Sequence, residues 1–215
     1  MRVVKEAEER RNEILDAADY LFVQKGFDGT TTKDILERVG IARGTLYYHF
    51  KSKEAIMDAL IERYSDRIIG AAQEIAADKS IPIIERIIRV VMALDIGDEG
   101  GKVIMEHIHK PQNALMHQKI QKVIINSVPP ILTEIIQEGI EQGMFSTPFP
   151  FECMEMVVAY TNTIFDEDMV EMTNEEIASR IQAFVFNVER LLGAEEGSLM
   201  PVMRMFGSKD GDSKE

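Results

Sequence analysis

Apolar residues return every three or four positions along most of this chain, the period of helices buried on one side. From about Glu9 to Lys25 the stripe is Ile14, Ala18, Leu21 and Phe22; residues 1–10 are charged and expected to fray, and Gly26 is placed to end the helix with Phe27 folding back as an anchor. Two short helices follow. One runs from about Thr32 to Val39, opened by Thr31 with Asp34 at capping-box spacing and closed by Gly40. The other spans about Ala42 to Phe50. Ser52 caps a fourth helix to about Ala77, with no Gly or Pro where it leaves the head. Ser80 and Pro82 open a fifth, with Ile84, Ile87, Ile88, Val91 and Met92 on one face. A short sixth is expected over residues 102–109, and a seventh from near Asn113 to Gly143, kinked or broken at Pro129–Pro130. An eighth runs from Pro150 to about Phe165. A ninth starts at Thr173, where Glu176 completes a second capping box, and carries Ile177, Ile181, Phe184, Val185, Val188, Leu191 and Leu192. The pattern predicts an all-α chain of about nine helices. A three-helix head with a helix-turn-helix covers 1–53 and a larger helical domain 54–196. A tail at 197–215 ends in about ten disordered residues, and its Met/Phe cluster is expected to dock on the body.

Composition narrows the classes of function. Cys153 is the only cysteine, so no intrachain disulfide forms, which suits a reducing cytoplasm. The first residues lack the apolar core of a signal peptide, and no apolar run approaches the ~20 residues a membrane helix needs. A cytoplasmic protein without a membrane partner is expected. The net charge of −13 argues against nucleic acid until its distribution is read. Residues 1–53 hold ten Lys/Arg and nine Asp/Glu, for +1; the remainder carries −14. A near-neutral head on an acidic body binds DNA through a local basic surface, and with modest affinity per monomer it relies on a dimer.

That surface lies on the helix from Ala42 to Phe50. Leu46 and Phe50 face inward with Ile35, Leu36, Val39 and Ile41, leaving Arg43, Thr45, Tyr47, Tyr48 and His49 outward. From Ile41 to Lys53 there are three Lys/Arg and no Asp or Glu. Donors and flat rings on one short helix suit phosphates and base edges. The competing reading is an ordinary helical corner, a common motif of all-α proteins.

The stretch from about Arg11 to Ala59, with ILDAADYLFVQKGF, TTKDI and VGIARGTLYYHFKSKEAI, resembles the DNA-binding domain of TetR-family transcriptional regulators. The resemblance implies a dimeric regulator, most often a repressor, that reads a palindromic duplex operator and is released by a small, largely apolar effector. It implies that Arg43 reads a base and that Gly44 lets the helix approach the groove. Thr45, Tyr47, Tyr48, His49 and Lys53 then contact phosphates or neighbouring bases, and Lys33 touches the backbone. It also implies a homodimer through the last two long helices; the alternative is that these serve only the monomer core. One departure is Ala42, where family members often carry Ser or Thr, so the reading helix lacks its side-chain cap.

The remaining candidates are weaker. The segment GDEGGK at 97–102 misses the phosphate-loop spacing, because Ile96 and Val103 stand where Gly and Ser/Thr are needed. Glu106 and His109 sit at i, i+3 and could bring two ligands to a metal, which leaves an all-α metal protein or enzyme as the alternative; His107 faces elsewhere. No hydrolase or dinucleotide signature is present, and no enzyme activity, cofactor or metal is expected. Among thirteen methionines, Met92, Met105, Met116, Met154, Met156 and Met169 lie in helices that surround the ligand cavity of the family. Met105, His109, Asn113, His117 and Asn162 are assigned to ligand contact from their placement.

Overall fold

The structure is a computed structural model that describes residues 2–94, 113–165 and 172–206. Within them are eight α-helices, one 3₁₀ helix and no strand. They are α1 (Arg2–Gly29), α2 (Thr32–Val39), α3 (Arg43–His49), α4 (Lys53–Ala77), α5 (Ile83–Leu94), α6 (Ala114–Glu141), α7 (Pro150–Ile164), α8 (Asn174–Leu192) and η1 (Met200–Phe206). The helix expected over 102–109 and the last residues of the tail lie outside the described residues.

The chain packs as two units, residues 1–67 with 96–120, and residues 68–95 with 121–215. α4 starts at Lys53, within the first unit. In the first unit, α1 begins at Arg2 and not near Glu9, because Glu, Arg, Lys and Ala favour helix even without burial. Gly26 interrupts it at φ 76, a backbone that side-chain-bearing residues rarely adopt, and Phe27 then turns back to meet Phe22 edge-on at 5.3 Å. Both arms of the first capping box form, with Thr31 Oγ1 accepting from Asp34 N–H at 3.2 Å and Asp34 Oδ2 accepting from Thr31 N–H at 2.8 Å. Gly40 closes α2 in the left-handed conformation. Ser52 Oγ accepts from Ala55 N–H and opens α4.

In the second unit, α5 differs from its expected stripe. Ile83, Arg86, Ile88 and Val90 are buried while Met92 is exposed. Arg86, 2 % exposed, donates to both carboxylate oxygens of Glu138 at 2.8 and 3.1 Å, and to the carbonyls of Ile81 and Ala76. These bonds satisfy the planar guanidinium inside an apolar surround. α6 runs through Pro129 and Pro130 without a break. Each interior proline costs ~3 kcal/mol. Val128, Ile131, Leu132, Ile135 and Ile136 are all buried in the core of this unit, at ~1.5–3 kcal/mol each, so packing outweighs the lost backbone bonds. Beyond Gly143 the turn brings Phe145 back onto α6, where a Cβ on Gly139 would lie 2.4 Å from the ring. α7 opens on Pro150, and α8 opens with the full Thr173–Glu176 capping box and closes on left-handed Gly193. η1 packs against α5 and α8 as the expected docking requires. Glu189, 3 % exposed, holds its approach by accepting from the N–H groups of Gly197 and Leu199 at 3.1 and 2.9 Å.

Candidate nucleic-acid interface

α3 is short, polar and held only from one side. Leu46 and Phe50 are buried, as is Ile35 of α2, while Arg43, Gly44 and Tyr48 are exposed and Thr45, Tyr47 and His49 half-buried. Tyr48 is 75 % exposed, a costly position for a large ring, and meets His49 edge-on at 5.0 Å. The Arg43 guanidinium lies 5.3 Å from the centroid of the Tyr47 ring, which steadies it without using its N–H donors on that ring's face. Ala42 is the N-cap, with no side-chain bond to the first turn. Lys51 donates to the carbonyl of Tyr47 near the end of the helix. Lys33, in the first turn of α2, is exposed and 3.5 Å from Glu37 one turn on, an exposed pair worth little. The arrangement offers a guanidinium, an ammonium, hydroxyls and rings on one solvent face.

The base of this face is stiff. Lys25 Nζ is 2.7 Å from Asp34, so α1 is tied to the capping box of α2. The Lys25 ammonium, and then the Thr31 hydroxyl and N–H, hold the Asp34 carboxyl well below the usual carboxylate range. Arg38 lies over the Tyr20 ring at 3.5 Å and Arg11 over Phe50 at 5.1 Å. Arg63 of α4 bonds Asp16, and the Tyr64 hydroxyl donates to Asp19. Burial pushes the Asp19 carboxyl up, against the lowering effect of that hydroxyl.

Lys53, which the resemblance matches to a phosphate or base contact, bonds its own chain. Its ammonium donates to the carbonyls of Phe27 at 2.6 Å and Thr30 at 2.9 Å. The same nitrogen stands 4.1 Å from the Phe27 ring centroid. Nothing in the local pattern signals this, because its partners are more than twenty positions earlier.

The residues assigned to ligand contact are not gathered into one site. Met105, His109 and Glu106 lie outside the described residues, as does Met169. Asn113, 3 % exposed, accepts from the Phe27 N–H at 2.7 Å, so its amide oxygen is engaged by the protein. His117 is half-buried in the first unit and Asn162 half-buried in the second. Met116 and Met154 are core residues, whereas Met92 and Met156 are exposed. Among the described residues no three His, Cys, Asp or Glu side chains are grouped to hold a metal ion.

A feature the sequence showed only as stripes is an apolar groove of about 480 Å³ on α7 and α8, lined by Met156, Tyr160, Phe184 and Leu191 among others. Tyr160 and Phe184 stack at 5.4 Å within it. Phe186 is 49 % and Met156 58 % exposed on the same two helices. No described helix is long and apolar enough to cross a membrane.

A capped α2, a tight left-handed turn and an exposed α3 with basic and aromatic side chains form a helix-turn-helix, the motif of a large class of transcriptional regulators. Comparison with known proteins gives the family. A family model described as bacterial regulatory proteins, tetR family, matches residues 14–60, and one described as Tetracyclin repressor-like, C-terminal domain, matches residues 100–186. The chain is 30 % identical over 139 residues to the HTH-type transcriptional repressor KstR2 of Mycolicibacterium smegmatis, spanning 63 % of this chain and 67 % of that one. It is 30 % identical over 154 residues to the HTH-type transcriptional regulator YfiR of Bacillus subtilis, spanning 69 % and 75 %. Among solved structures, Salmonella enterica GusR shares the fold with a TM-score of 0.59 at 22 % identity, over 86 % of this chain and 96 % of that one. The chain belongs to the TetR family of transcriptional regulators.

Proposed function

We propose that this regulator is a cytoplasmic dimeric repressor that reads a palindromic duplex operator through α3 and leaves it when a small, largely apolar effector binds. The observation that carries the reading is the solvent face of α3, where Arg43 stands over Tyr47 with its N–H donors unspent on that ring and Tyr48 is held out in solvent. Arg43 pairs with a guanine, whose two acceptors match the guanidinium fork. Thr45, Tyr47, Tyr48 and His49 contact phosphates or flanking bases, and Lys33 meets the backbone from the first turn of α2. The similarity to a protein named as a repressor supports repression over activation. Exposed Met156 and Phe186 on α7 and α8 support pairing of two copies through these helices. Two heads then read half-sites one helical turn or its multiples apart. The effector acts through α4, which is uninterrupted from Lys53 to Ala77, and supplies ~1–3 kcal/mol of coupling between the bound and released states.

Selection of duplexes from a random pool tests the reading. The expected result is a palindrome, bound by the wild type and discriminated poorly by Arg43→Ala, which loses ~1–3 kcal/mol at one base position in each half-site. Unchanged preference in that variant sinks the assignment of Arg43. Release of the selected duplex by members of a lipophilic ligand panel, and by no polar member, tests the effector.

A further inference from the structure

The residues that close α1, Gly26 to Thr30, carry more long-range bonds than a connector needs. The backbone of Phe27 is gripped from both sides. Its N–H donates to Asn113 Oδ1 at 2.7 Å, 86 positions ahead, and its carbonyl accepts from Lys53 Nζ at 2.6 Å. The same ammonium donates to the carbonyl of Thr30 at 2.9 Å. Thr30 is buried and returns its hydroxyl to the carbonyls of Gly26 and Leu21 at 2.8 and 3.2 Å. All these residues belong to the first unit.

The position of these bonds in the chain gives them a role. Thr30 immediately precedes Thr31, the N-cap of α2, and Lys53 is the first residue of α4, just after α3. One ammonium thus joins the entry and the exit of the helix-turn-helix. An ammonium has three N–H donors and no acceptor. Two are spent on these carbonyls, and the Phe27 ring lies beside the nitrogen. Turning it outward to a phosphate would take this donor from the Thr30 carbonyl and leave the Phe27 carbonyl with the longer bond from the Thr30 N–H at 3.2 Å, a loss that buried acceptors do not recover from water.

We propose that Lys53 and Asn113 are positioning residues for operator reading: they clamp the Phe27 backbone and so fix where α2 starts and where α3 ends, and touch neither phosphate nor effector. The inference rests on the DNA-binding reading above. Its test uses the full chain, the duplex selected by the wild type, and the variants Lys53→Met and Asn113→Ala. Lys53→Met is expected to weaken binding tenfold or more at every salt concentration, with the slope of log K against log salt unchanged. In both variants the Phe27 amide and those at the start of α2 should exchange with solvent at least tenfold faster. A phosphate contact behaves otherwise, because its loss lowers the slope by about 0.9 for each head. A lowered slope with unchanged amide exchange overturns the proposal. Should the wild type bind no duplex at all, the DNA-binding reading fails. The clamp is then decided by amide exchange alone, and unchanged protection at Phe27 in Asn113→Ala overturns it.

Discussion

Gly44 sits in the first turn of a seven-residue helix, where glycine costs ~1 kcal/mol relative to alanine. Nothing lies within 4 Å of where its Cβ would be, so the fold gains no packing from a missing side chain. On the reading proposed above, its use is the close approach of the duplex. Gly44→Ala is expected to stabilise the head by ~0.5–1 kcal/mol while weakening operator binding; thermal melts and titrations on the same samples check this, and undiminished affinity removes Gly44 from the interface. Asp34 gives the pH dependence. Its carboxyl is held below the ordinary value by Lys25 and then by Thr31, so the ionised form stabilises the folded head. That contribution is complete above about pH 4, the unfolded value of an aspartate, and is lost as the pH falls below it. Acid should loosen α2 before the rest of the chain. Asp34→Asn should abolish that step, and amide exchange of α2 across the same pH range would expose a variant that still titrates like the wild type.

Elements differ in how completely their ends are closed. α2 and α8 each have a full capping box and a left-handed glycine, and both can be placed from Thr31–Asp34–Gly40 and Thr173–Glu176–Gly193 alone. α3 has neither, with Ala42 at its start and no side-chain bond to the first turn. Ala42→Ser would supply the missing acceptor and is expected to stabilise α3 by ~1 kcal/mol. Slower amide exchange at Thr45 is the sign to look for, since in the native chain that N–H has only the Ala42 carbonyl at 3.0 Å. α5 and α6 were less readable for the opposite reason. Arg86 and the two prolines break the expected pattern, and both are tolerated because a packed neighbour supplies what the element lacks. For Arg86 the neighbour is Glu138, 52 positions away.

Charge and apolar surface divide the work across the molecule. Residues 1–53 carry +1 and the remainder −14, so on the reading proposed above attraction to a duplex rests on the local cations of α2 and α3. Exposed apolar rings, by contrast, collect on α7 and α8. Phe186→Glu on α8 should split the dimer, seen as a halved mass by light scattering, and cut operator affinity steeply while the head keeps its circular dichroism and its melting behaviour. A monomeric wild type would overturn the proposed dimer, and a variant that stays dimeric would move its interface elsewhere.

The elements legible from residue order are those closed by bonds three or four positions long: both capping boxes, the glycine stops, the proline that opens α7 and the periodic stripes. The solvent face of α3 belongs with them, because on so short a helix the positions of Leu46 and Phe50 leave little choice about where Arg43 and Tyr48 point. Lys53, Asn113, Arg86 and Glu189 lay beyond such reasoning. Each is a polar group whose direction is chosen by a partner brought near only by folding, 26, 86, 52 and 10 positions away respectively. A lysine after an exposed basic helix has the same local surroundings whether it meets a phosphate or a carbonyl of its own chain. Packing makes that choice, by bringing the ammonium within reach of the carbonyls of Phe27 and Thr30.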